Sequence, residues 1–179
     1  MTTRRQALAG AAAGAAALAL RSTPPALAAG NDKGLLEVLV AYQQEVVFRY
    51  ELALQSGPFE GRDRGVLGSF RDQASAAAAA LRKALVENGG TPPPQKPIAF
   101  AKLPPETARK SDRRGYLNAI VKAEEGTVGG FYVALQALVD ERLVRGTTAF
   151  MAQGGRRLVT LRELAGDPLL PRAFETGGA

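Results

Sequence analysis

Apolar residues recur along this chain in four blocks with the spacing of an α-helix. In the first block Leu36, Val40, Gln43, Val47, Tyr50 and Leu54 follow at alternating steps of four and three, which lines them up on one helical face. Gln43 therefore sits inside an apolar stripe. The second block runs from Gly61 to Asn88 with Phe70, Ala74, Ala77, Leu81 and Ala84 in line, and Asn88-Gly89-Gly90 forms its stop. The third, Ser111 to Leu138, aligns Leu117, Val121, Glu125, Val128, Tyr132 and Leu135, so that Glu125 is predicted to face inward. The fourth, Asp140 to Ala165, aligns Phe150, Gly154, Arg157, Leu161 and Leu164 and stops at Gly166-Asp167-Pro168. Asp140 is placed to cap it. No block has the sustained alternation of a strand.

The breaks between the blocks differ in length. Gln55-Ser56-Gly57-Pro58 is a short turn, whereas Gly89 to Pro105 holds six of the eleven prolines and cannot continue a helix. An internal repeat gives these breaks meaning. A shift of 82 positions brings Leu35 onto Leu117, Gln43 onto Glu125 and Tyr50 onto Tyr132. A shift of 80 brings Phe70 onto Phe150, Ala74 onto Gly154, Ala77 onto Arg157 and Leu81 onto Leu161. The chain reads as two helical hairpins joined by a long Pro-rich crossover, 89–105, and each hairpin has one apolar face to bury. The predicted fold is an all-α four-helix bundle.

The N-terminus departs from this pattern. Arg4-Arg5 precedes an uncharged stretch from Gln6 to Leu20, and Ala26-Leu27-Ala28 supplies small residues at an A-x-A spacing. A basic start, a short apolar middle and such an end describe a secretory signal peptide, and the paired arginines fit the twin-arginine (Tat) export type. Cleavage after Ala28 divides the chain into a signal, 1–28, and a bundle domain, 29–179. Localisation would then be periplasmic, in the cell envelope or extracellular.

Composition narrows the chemistry. The 179 residues include no Cys and no His. Thiolate nucleophiles, disulfides, zinc-thiolate sites, imidazole ligands and Ser-His-Asp triads are all excluded. The formal net charge of +6 falls to +3 without Arg4, Arg5 and Arg21. With 6% aromatic residues and no long basic run, nucleic acid is not an expected partner.

With the repeat in place, the sequence resembles the ferritin-like superfamily, in particular the small exported bacterial ferritin-like proteins. The words that carry the likeness are FRDQ (Phe70 to Gln73), ALRKAL (Ala80 to Leu85) followed by Gly89-Gly90 and prolines, then LRELAGDP (Leu161 to Pro168) and PRAFE (Pro171 to Glu175). The resemblance implies a bundle in which the first and third helices each carry a Glu seven residues before an aromatic residue. The second and fourth each carry Glu-x-x-His, and the six ligands hold two iron or manganese ions. Here those slots are Gln43, Ala74, Ala77, Glu125, Gly154 and Arg157, so one carboxylate remains of six ligands. A hard cation needs several anionic ligands, and an arginine would repel it. No metal or other cofactor is expected.

In place of the cluster, a core ion pair between Glu125 and Arg157 is predicted, with the Gln43 amide bonded to one of them. The alternative is that Arg157 reaches out to the rim and leaves Glu125 neutral or hydrated. The Ala76 to Ala80 run and Gly154-Gly155 allow either close helix packing or a small residual cavity. Tyr42, Tyr50, Tyr116 and Tyr132 are read as core or rim aromatics, and Gln73 and Gln153 as surface or interhelical amides. The functional expectation is a non-catalytic binding or structural module, with no transmembrane span after signal cleavage. The alternatives are a ferroxidase-type or oxidase-type metalloprotein, with iron or manganese displaced onto Glu125, Glu124, Glu45 or Glu51, and a small-molecule carrier. A homodimer is allowed by the Ala-rich surface.

Overall fold

The computed structural model describes residues 31–94 and 112–168, which form four α-helices and no strand. These are α1 (Asp32–Ser56), α2 (Gly61–Glu87), α3 (Arg113–Leu135) and α4 (Glu141–Ala165). The expected signal segment 1–28, residues 95–111 of the expected crossover and loop region, and residues 169–179 lie outside the described residues.

Each helix begins or ends where side-chain chemistry closes it. The Asn31 side chain accepts from Gly34 N at the start of α1, Asp112 from Gly115 N at the start of α3, and Asp140 from Arg142 N at the start of α4. Such caps satisfy amides that have no partner within the helix. At the end of α4, Gly166 turns left-handed with φ 73°, a conformation that costs glycine little. The helix α3 stops at Leu135 rather than at the expected Leu138. The chain there tightens as Ala137 and Leu138 both donate to the Ala134 carbonyl. Just beyond, Val139 N and Asp140 N each donate to the Asp32 carboxylate at 3.0 Å. Asp32, more than a hundred positions away, thus helps to end one helix and start the next.

The helices α1 and α2 pack along each other, α3 pairs with α4, and α1 lies against α3. The contact between α2 and α4 is the slightest of these. One apolar cluster gathers Leu36, Leu39, Leu81, Leu85 and Phe131. A second gathers Tyr50, Leu67, Leu117, Ile120 and Leu161. Burying each of these large side chains is worth roughly 1.5–3 kcal/mol. Near the second cluster Arg113 ties three helices together: it donates to the Leu164 carbonyl and to Asp63, at 2.9 and 2.7 Å.

The internal repeat is real in burial as well as in letters, with one adjustment. Leu36 and Leu117, Leu39 and Ile120, Val40 and Val121, Tyr50 and Phe131, and Ala53 and Ala134 are buried in matching pairs, a spacing of 81 rather than 82. In the other two helices the spacing of 80 holds: Leu67 matches Thr147, Ala74 matches Gly154, Ala77 matches Arg157, and Leu81 matches Leu161. At the offset of 81, Gln43 is the counterpart of Glu124.

Candidate functional site: a salt-bridged polar layer

Between the two apolar clusters lies a layer of buried polar side chains. Gln43 and Glu124 have no exposure and Arg157 has 2%. Gln43 comes from the middle of α1, Glu124 from the middle of α3 and Arg157 from the second half of α4.

The carboxylate of Glu124 is fully engaged. Arg157 Nε donates to Oε1 at 2.6 Å, Arg157 Nη2 to Oε2 at 3.0 Å, and the Tyr50 hydroxyl to Oε1 at 2.8 Å. The guanidinium and carboxylate planes therefore meet as a two-pronged pair, the strongest geometry available to these groups. Burial works against the charge on Arg157, but its bonds to Glu124 more than offset this and its pKa is raised. Burial also raises the pKa of Tyr50 well above the usual phenol range, reinforced by the negative charge of Glu124. Tyr50 is therefore a fixed proton donor to Glu124, held neutral at any physiological pH.

The partner of Arg157 is thus Glu124 and not the predicted Glu125. Glu125 lies one residue along α3, about 100° around the helix, with 47% of its side chain exposed, and it pairs instead with Arg162 at 2.6 Å. The inward stripe of α3 is Leu117, Ile120, Glu124, Thr127, Phe131 and Ala134. Tyr132, which the sequence had placed on that stripe, is at the surface. Arg157 does not extend to the rim.

The Gln43 amide bonds to neither charged group. Its Nε2 donates to the Ala74 carbonyl on α2 at 3.2 Å. Gln43 Oε1 and Arg157 Nη1 are buried with no hydrogen-bond partner among the described residues. The remaining slots, Ala74, Ala77 and Gly154, are buried. Gly154 makes room for the pair: a Cβ there would lie 2.8 Å from Val128 Cγ2 and 3.5 Å from Glu124 Oε2.

This donor set does not fit the two-metal cluster that the sequence resemblance implies. Among the described residues a single carboxylate is buried, both of its oxygens are bonded to a cation, and the facing positions are an amide, two alanines and a glycine. The other acids considered as ligands do not join it. Glu45 pairs with Arg49 at 2.7 Å, Glu51 lines an outer groove, and among the described residues no three acids gather as a metal would require. The arrangement holds two opposite charges out of water and offers no free nucleophile or base. Sequence reasoning missed Glu124 and the role of Tyr50. The signal for Glu124 lay in the matching of apolar positions at 81, where Ile120 takes the place of Leu39. Among the described residues no helix is long and apolar enough to cross a membrane. No protein-family model matches the chain, nor does any curated protein or solved structure.

Proposed function

We propose that this protein is an exported, ferritin-like helical bundle that acts without catalysis, as a binding or structural module of the cell envelope. One observation carries the reading. The layer where such a bundle would gather metal ligands is filled by Arg157 locked onto Glu124 and Tyr50, so the residues there serve packing and charge neutralisation. The likeness of FRDQ, ALRKAL and LRELAGDP to the exported ferritin-like proteins supports the lineage, and Arg4-Arg5 with Ala26-Leu27-Ala28 supports Tat-type export.

The test is metal analysis of the chain purified without chelators, followed by titration with iron(II) and manganese(II). The expected result is less than stoichiometric metal and no rise in thermal midpoint. Stoichiometric iron or manganese that disappears in Glu124→Gln would overturn the reading. Export is tested by a reporter fused to residues 1–30, which should reach the periplasm only while Arg4-Arg5 is intact.

A further inference from the structure

The outer side of the α1/α2 hairpin, away from the salt bridge, carries a groove of ≈ 520 Å³. That volume falls in the range of small-molecule sites. Its floor and walls are apolar at the centre, from Val47 and Phe48 on α1 and from Ala78 and Ala79 on α2. The segment after α2 closes one end: Arg82 Nη1 and Gln44 Nε2 both donate to the Pro93 carbonyl, at 2.8 and 3.4 Å.

Two charged residues lining this groove form no ion pair among the described residues. The Arg82 guanidinium has five N–H donors and spends one on Pro93; among the described residues it has no carboxylate partner. Glu51, further along α1 on the groove wall, likewise has no ion-pair partner among the described residues. The other lining acid, Glu45, is already neutralised by Arg49. Since Arg82 and Gln44 reach the same carbonyl, the cationic end of the groove lies at the level of Gln44. Glu51 is seven residues further along α1, about 10 Å away at the rise of an α-helix. Cation, apolar floor and carboxylate thus follow one another along the groove.

We propose that this groove binds a small zwitterionic organic molecule, its carboxylate held by Arg82, its ammonium by Glu51 and its apolar body lying on Phe48, Ala78 and Ala79. A ligand with only one charge would leave either Arg82 or Glu51 uncompensated, and the one left over is what selects for a molecule carrying both. The site is independent of the buried layer and of the reading that the bundle is a former metalloprotein.

The test is calorimetric titration of the full chain with ω-aminocaprylate, whose charges are separated by an extended apolar chain. The expected result is saturable binding at one site, weakened about tenfold or more by Glu51→Gln and by Arg82→Gln, as befits loss of one charge-assisted contact. Caprylate and octylamine should bind more weakly than the zwitterion. Ala79→Leu, at an exposed position that does not hold the fold, should block the groove. Thermal midpoints of the three variants close to that of the parent chain would show that the fold is intact. Absence of saturable binding by the parent chain overturns the proposal, as does binding that survives Ala79→Leu or Glu51→Gln, or equal binding of caprylate.

Discussion

Arg157 grips Glu124 through two nitrogens in the middle of the bundle, where neither side chain meets water. Bringing a carboxylate and a guanidinium out of solvent costs several kcal/mol each, and only their mutual bonds repay it. The pair is therefore worth little compared with an apolar replacement, yet breaking it from one side is severe.

Arg157→Leu should lower unfolding stability by about 3–5 kcal/mol, because Glu124 is left buried and charged. Glu124→Leu alone should also be costly. The double variant should recover much of the loss, with a coupling of about 0.5–3 kcal/mol measured by urea denaturation of all four proteins. Simple additivity would show that Glu124 and Arg157 do not act as an energetic unit. Glu125→Gln, a half-exposed position, should change stability by no more than about 0.5 kcal/mol.

Two buried tyrosines should respond in opposite ways to loss of the hydroxyl. Tyr50→Phe removes the bond to Glu124 and should cost about 1.5 kcal/mol. Tyr116 Oη has no hydrogen-bond partner among the described residues, while its ring packs edge-on against Phe59 at 6.2 Å. Tyr116→Phe keeps that contact and removes an unsatisfied polar atom, so stability should be unchanged or higher. Denaturation curves of the two variants decide this.

Alkaline pH should expose the same asymmetry. The Tyr50 pKa is raised in the folded state, so the neutral phenol is favoured there while the unfolded chain ionises near pH 10. Its contribution to stability is fully present below about pH 10 and is lost above it, by up to about 1.4 kcal/mol per pH unit. Tyr50→Phe should flatten the fall in stability on that side. The phenolate absorbance of Tyr50 in the parent chain should appear only as the protein unfolds.

Neighbouring glycines of α4 should behave as opposites. A Cβ at Gly155 meets nothing within 4 Å, so Gly155→Ala should stabilise by about 0.5–1 kcal/mol through helix propensity alone. Gly154→Ala meets the β-branched Val128 and the Glu124 carboxylate. The resulting crowding, about 1–3 kcal/mol, should cancel or exceed the same gain. Thermal midpoints of the two variants should move in opposite directions or differ clearly in favour of Gly155→Ala.

Much of the architecture was legible in the letters. Gly57-Pro58, Asn88-Gly89-Gly90 and Gly166-Asp167-Pro168 mark helix ends because glycine and proline act on the backbone locally, whatever the rest of the chain does. The stripes of α1, α2 and α4 followed from periodicity, and Gln43, Ala74, Ala77, Gly154 and Arg157 are buried as that spacing requires. The face of α3 is different. Leu117 and Val121 suit a register through Glu125, while Tyr116, Ile120 and Val121 suit one through Glu124, and Gly126, Gly129 and Gly130 add no apolar preference to break the tie. Two adjacent glutamates leave local chemistry indifferent to which is buried. The choice fell to partners distant in sequence: Tyr50 on α1 and Arg157 on α4 supply the donors at the position of Glu124, while Arg162, near the end of α4, meets Glu125 at the surface. Periodicity along one helix established that a carboxylate faces the core, but its identity depended on how α1 and α4 present their donors, which only the packed bundle decides.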